Sequence, residues 1–173
     1  MRLYLIGMPG AGKTTLGRAL ATAYEVPFRD LDDEIVRREQ RSIPEIFAQE
    51  GEEYFRTREA EVLRELVAEL PELVLSTGGG TPCFHHNLEV LLQTGLTLYL
   101  AVPVSELVRR LQRQAASRPL LAELPDTVAL ETRLAETLAV RQRFYDRAPL
   151  RCAAPACSVE AVRQLVERYN AAV

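Results

Sequence analysis

Residues 7–14 read Gly7-Met8-Pro9-Gly10-Ala11-Gly12-Lys13-Thr14 and fit G-x-x-x-x-G-K-[ST] at every position. An apolar, β-prone run at 2–7 leads into this loop. Thr14–Tyr24 follows with Leu16, Ala19, Leu20 and Ala23 at helical spacing. Strand, loop and helix in that order are the context in which the motif carries meaning. Its glycines let backbone N–H groups converge on phosphate oxygens with no Cβ in the way. The positive end of the following helix adds to that field. Lys13 then reaches the terminal phosphates, and the Thr14 hydroxyl can ligate Mg²⁺.

The basic residues are 20 arginines and one lysine, and that lysine is Lys13. A compact, rotatable ammonium is hard to replace there by a planar guanidinium. The loop implies a nucleoside triphosphate, which leaves the reaction open. Switch GTPases read guanine with Asn-Lys-x-Asp, and a chain whose only lysine lies in the phosphate loop cannot contain that sequence. No HRD triplet is present either, which argues against a protein kinase.

The rest of the chain reads as alternating β and α. Further strands are expected at Pro27–Asp30, Leu73–Ser76, Leu96–Val102 and Leu150–Ala153. Helices are expected at Asp32–Gln40, from Ser42 to a break at Gly51, and at Glu52–Leu70, 86–94, Ser105–Gln114, Thr127–Tyr145 and Val159–Tyr169. Ser42, Pro44 and Glu45 suit a capping box with proline in the first turn. Short apolar strands between helices predict a parallel sheet of about five strands, covered on both faces, in a three-layer P-loop NTPase fold. At 173 residues the chain is expected to be one domain, 1–173, with a lid near 112–125.

Composition removes several classes. The net charge of −3 offers no basic excess for nucleic acid. The apolar runs fall short of the ~18 residues a membrane span needs. Residues 1–7 run straight into the loop, which leaves no room for a secretory signal. Three cysteines, Cys83, Cys152 and Cys157, lack CxxC spacing, so reduced thiols in the cytoplasm are expected. No heptad or apolar stripe asks for a partner, which makes a monomer the expectation.

Three stretches look like acceptor chemistry. Asp30-Leu31-Asp32 ends the second strand, where open α/β sheets bind ligands. Two carboxylates at i and i+2 leave a strand on one side. One can hold Mg²⁺, and the other can orient or deprotonate an attacking hydroxyl. A plain helix cap at Asp32 or Asp33 is the alternative reading. Gly78-Gly79-Gly80 offers bare backbone to a substrate. Arg56, Arg118 and Arg141 suit bidentate capture of a carboxylate or of a transferring phosphoryl group. Arg37, Arg38, Arg64, Arg113 and Arg163 read as solvated surface charges.

Taken in order, several features resemble shikimate kinase over about residues 4 to 147. They are Gly7–Thr15, Asp30-Leu31-Asp32, Ser42–Phe47 with Gly51-Glu52, Phe55-Arg56, Gly78–Gly80, Arg118-Pro119-Leu120-Leu121, and Arg141 followed by Tyr145. The resemblance implies transfer of the ATP γ-phosphoryl group to the 3-hydroxyl of shikimate, with Mg²⁺, on the route to chorismate and aromatic amino acids. It implies ATP contacts at Gly10, Ala11, Gly12, Lys13, Thr14, Thr15, Arg110, Arg118 and Arg151. It implies shikimate contacts at Asp32, Arg56, Gly78, Gly79, Gly80 and Arg141, and Mg²⁺ at Thr14 and Asp30. Lys13, Asp32 and Arg118 would be catalytic, with Asp32 the base and Arg118 on a mobile lid. Glu59 would hold Arg56, and Phe47 and Phe55 would wall the pocket.

The chain departs from the family pattern at Thr81-Pro82-Cys83-Phe84-His85-His86, where both histidines read as surface or helix-entry residues. Arg143 and Arg147 lie close enough to Arg141 to put the clamp's register in question. A gluconate-type or nucleoside monophosphate kinase is the alternative enzyme, and a relic ATP-binding domain the alternative without catalysis.

Overall fold

Four residues in a row, Leu3, Tyr4, Leu5 and Ile6, are completely buried. Side chains alternate between faces along a strand, so burial of every one means that both faces of the sheet are covered. This strand, β1 (Arg2–Ile6), is the middle of five. The others are β2 (Phe28–Asp30), β3 (Leu73–Ser76), β4 (Leu96–Ala101) and β5 (Leu150–Ala153). All pairings are parallel, in the order β2-β3-β1-β4-β5. The computed structural model describes residues 1–116 and 126–172.

Among the described residues the α-helices are α1 (Lys13–Tyr24), α2 (Leu31–Glu39), α3 (Ile43–Glu69), α4 (Asn87–Thr94), α5 (Val104–Ala116), α6 (Thr127–Tyr145) and α7 (Val159–Ala172). Helix α1 packs on β3 and α7, α3 on α2 and α4, and α5 on α6. From β1 the chain goes to one side of the sheet for β2 and β3, then to the other for β4 and β5. The carboxyl end of β1 is therefore the topological switch point, where such sheets bind ligands. Register makes the arrangement specific. Leu5 pairs with Ser76, and Ser76 pairs with Asp30, so these strand ends lie level around the loop that leaves β1.

Most local expectations hold. Ser42 and Glu45 form the capping box, with Pro44 in the first turn. Gly51 is the one non-helical residue within α3 (φ 85°, ψ 176°), and it joins two helical arms end to end. Among the described residues no helix is long and apolar enough to cross a membrane.

Four readings need correction. Helix α2 begins at Leu31, directly after β2, so Asp30 and Asp32 do not share the face of a strand. The cap is Asp30, whose carboxylate accepts the Asp32 N–H, and not Asp32 or Asp33. Thr81–Cys83 form a 3₁₀ turn after the triple glycine, where no helix was expected. Arg38 is not solvated, and Arg64 is exposed as expected but also tied to the protein. Arg38 packs among Glu34, Glu65 and Glu69. Arg64 donates to the carbonyls of Ala60 and His85 and to Asn87 Oδ1.

The cysteines are also paired otherwise than expected. Cys152 and Cys157 form a disulfide with their Cα atoms 5.5 Å apart, while Cys83 is free. The turn after β5, closed by Ala156 N–H on the Ala153 carbonyl, brings Cys157 back beside Cys152.

Leu5 is fully buried one residue before the end of β1. Leu5→Ala should cost about 2–5 kcal/mol in urea unfolding. A loss below about 1 kcal/mol would show that this strand does not anchor the core.

Candidate active site

The loop after β1 takes its shape from glycine. Gly7, Gly10 and Gly12 have φ of 143°, 80° and 94°, a region costly for other residues. At Gly7 a Cβ would also lie 2.7 Å from the Leu100 carbonyl oxygen. Gly12 caps α1 without a side-chain acceptor, so the first-turn N–H groups are left for a ligand. Lys13 is buried, and its Nζ donates to the Gly7 and Met8 carbonyls, both at 2.9 Å. Burial pulls its pKa down to about 8, against the opposing pull of Asp32 and Asp30.

The loop opens on a cavity of about 860 Å³. Asp30, Asp32, Ser76, Thr77, Gly78 and Gly79 line one side. Pro155, Ser158 and Val159 contribute to another wall. Thr15 and Arg110 also line it, and Arg110 donates to the Ala11 carbonyl at 2.9 Å while Glu106 holds its Nε.

Asp30 has both oxygens engaged. Oδ1 accepts the Asp32 N–H at 3.1 Å, and Oδ2 accepts the Thr14 hydroxyl at 2.7 Å. Ser76 Oγ lies 3.4 Å from the same hydroxyl. A hydroxyl and a carboxylate side by side at the phosphate loop are hard oxygen donors of the kind Mg²⁺ takes. Asp32 is pushed up to about pKa 6, first by burial and then by the charges of Asp30 and Glu59, with Lys13 and Arg56 opposing.

The triple glycine runs between these groups, most tightly at Gly79. A Cβ on Gly79 would sit 2.6 Å from Pro9 Cδ and 2.8 Å from Arg141 Nη1. One on Gly80 would sit 2.7 Å from Arg56 Nη2, and one on Gly78 3.2 Å from Asp32 Oδ1. Tyr145, fully buried and stacked on Tyr99, donates to the Gly79 carbonyl at 2.6 Å. Arg56 Nη1 donates to Glu59 Oε2 at 2.9 Å, so Glu59 does hold Arg56. Phe47 and Phe55 pack ring to ring at 4.8 Å. Arg141 Nη1 is buried and has no hydrogen-bond partner among the described residues. An orphaned guanidinium N–H group is expensive unless a ligand completes it.

The structure thus brings together Gly10–Thr15, Asp30, Asp32, Arg56, Gly78–Gly80, Arg110 and Arg141. It does not bring in Arg151, which pairs with Asp146 at 3.4 Å, stacks on Tyr99 and does not line the cavity. Arg118 and most of the expected lid lie outside the described residues. Arg143 stacks on Phe144 and Arg147 pairs with Glu89, which leaves Arg141 as the arginine beside Gly79. His85 and His86 are exposed at the entry to α4. Sequence reasoning missed Ser76 and Thr77, although two polar residues ending an apolar strand were a usable signal. It also missed Arg113, which lines the cavity.

The Asp32 carboxyl should titrate near pH 6, neutral below and ionised above. Glu59→Gln removes an anion that holds this value up and frees Arg56, so the midpoint should fall. Carboxyl NMR of both proteins checks this; an equal or higher midpoint in the variant would break the coupling.

Comparison with known proteins gives this site a family. The sequence profile described as shikimate kinase matches residues 9–170. Shikimate kinase of Azobacteroides pseudotrichonymphae is 40% identical over 149 residues, 86% of this chain and 87% of the relative. The solved shikimate kinase of Bacteroides thetaiotaomicron superposes with a TM-score of 0.87 at 36% identity, covering 96% of this chain and 98% of that one. The one from Acinetobacter baumannii, solved in complex with shikimate, gives 0.81 at 37% identity, covering 99% and 93%. The chain belongs to the shikimate kinase family.

Proposed function

We propose that this protein transfers the γ-phosphoryl group of ATP to the 3-hydroxyl of shikimate, giving ADP and shikimate 3-phosphate. The observation that carries this reading is the buried Arg141 Nη1, which lies beside Gly79 without a hydrogen-bond partner among the described residues. Arg56 Nη2 lies beside Gly80 on the same glycine run. Together they form a carboxylate site next to a phosphate loop. A polyol acid fits, since its carboxylate meets the arginines and its hydroxyls meet Asp32. Family membership weighs against a gluconate-type or nucleoside monophosphate kinase.

The chain's own groups do the chemistry. Lys13 leaves the Gly7 and Met8 carbonyls for the terminal phosphates, whose charge favours its ammonium form. The N–H groups at the start of α1 hold phosphate oxygens. Asp32 orients the attacking hydroxyl and takes its proton; a pKa of about 6 leaves it ionised at neutral pH and still basic enough to act. Thr14 and Asp30 would hold Mg²⁺, which supplies charge neutralisation on the phosphates when bound. Arg118 would come from the lid near 112–125 and help exclude water. The same reading makes the chain one catalytic domain, a monomer working in the cytoplasm.

Steady-state ADP release with ATP and shikimate tests this. Lys13→Ala should lose turnover with the fold intact, and wild-type turnover would refute the loop's role. Arg141→Ala should raise the shikimate KM about 10–100-fold, the effect of losing one charge-assisted pair, with little change in the ATP KM. An unchanged shikimate KM would take Arg141 out of the clamp.

A further inference from the structure

We infer that Thr81 and Phe84, in the stretch where this chain departs from the family pattern, are positioning residues that fix Arg56 for the acceptor's carboxylate. The inference rests on the acceptor reading above and extends it outward by one layer of side chains.

Thr81 acts through Glu59. Both residues have no exposed surface. A buried carboxylate must have its oxygens satisfied. Glu59 Oε1 accepts the Thr81 hydroxyl at 2.6 Å, and Oε2 accepts Arg56 Nη1 at 2.9 Å. The hydroxyl therefore decides which carboxylate oxygen is left for Arg56. That choice turns Arg56 Nη2 toward Gly80 and the acceptor pocket.

Phe84 acts on the guanidinium directly. Its ring centroid is 4.2 Å from Arg56 Cζ, and the Phe55 ring is 5.1 Å away. Both lie within cation–π range. Phe84 is 37% exposed, so it is not buried as a core residue. What it covers is Arg56, whose side chain is only 12% exposed. Shielding from water strengthens each contact the guanidinium makes.

The segment carrying both residues is tied down. Cys83 N–H bonds the Gly80 carbonyl at 2.9 Å, and Asn87 Nδ2 bonds the Thr81 carbonyl at 3.1 Å. Arg64 bonds the His85 carbonyl at 2.7 Å and Asn87 Oδ1 at 2.9 Å. Arg64 stands on α3, the helix that also bears Arg56 and Glu59. Helix and segment thus form one closed frame around the guanidinium. Such outer support is what holds a binding group to its productive geometry.

The test compares wild type with Thr81→Val, Thr81→Ser, Phe84→Leu and Phe84→Tyr, each checked by thermal melting. Thr81→Val and Phe84→Leu should raise the shikimate KM about 3–20-fold. The ATP KM should stay within about twofold and kcat within about threefold, because the phosphate loop is untouched. Thr81→Ser and Phe84→Tyr, which keep the hydroxyl and the ring, should stay near wild type. Phe84 is at the rim, so Phe84→Leu decides the matter even where Thr81→Val does not fold. An unchanged shikimate KM in folded Phe84→Leu, or an ATP KM that rises in step with it, overturns the inference. A wild type that neither binds nor turns over shikimate overturns the functional reading beneath it.

Discussion

Lys13 is held out of water by two carbonyls of its own loop, with Asp30 and Asp32 drawing on its charge. Around it, at the carboxyl ends of three strands, stand Arg56 and Arg141 against Asp30, Asp32 and Glu59. Charges buried this closely are tolerated only when each is paired. Five of these six groups have a partner in the protein: Lys13, Asp30, Asp32, Arg56 and Glu59 each make a hydrogen bond or feel an opposite charge close by. Arg141 lies beside the Tyr145 hydroxyl, but its Nη1 has no hydrogen-bond partner among the described residues. That buried Nη1 is where a bound anion would complete the arrangement.

The fold exists in a form that makes this possible. Because β1 sits between β3 and β4, the phosphate loop emerges at the switch point with Asp30 and Ser76 level beside it. Donor and acceptor groups come from segments far apart in the chain: 7–15, 30–32, 56–59, 78–80 and 141. The glycine run at 78–80 passes between Pro9, Asp32, Arg56 and Arg141, with least room for a Cβ at Gly79, so a single backbone segment touches both halves of the site. Tyr145 closes the arrangement by bonding the Gly79 carbonyl from the far end of α6.

How much of this the sequence discloses depends on the range of the interaction. The phosphate loop is legible because its chemistry is local: three glycines, one lysine and one hydroxyl within eight residues. The strands are legible as short apolar runs, and β3 and β5 fall where the runs do. Asp30 and Asp32 are legible as a pair, though for a different reason than strand alternation. Asp30 caps α2 and so turns Asp32 into the cavity's wall. The failures are long-range. Arg151 alternates to the outer side of an edge strand, where Asp146 and Tyr99 take it up. Arg64 is the surface arginine it reads as, but its bonds to residues 85–87 show only once α3 is seen against them. Thr81 and Phe84 matter only because a helix 22 to 28 residues earlier in the chain lies against them. The Cys152–Cys157 bridge depends on a turn that no CxxC spacing announces.

The central claim is that two arginines recognise a carboxylate on the acceptor. The most direct measurement is calorimetric titration of the nucleotide-free protein with shikimate and, separately, with its methyl ester, which keeps the ring and hydroxyls and loses the charge. The account predicts that the ester binds at least about tenfold more weakly, since a charge-assisted contact to arginine is lost. Equal affinity for acid and ester would contradict it, and would leave the unpaired Arg141 nitrogen without an explanation.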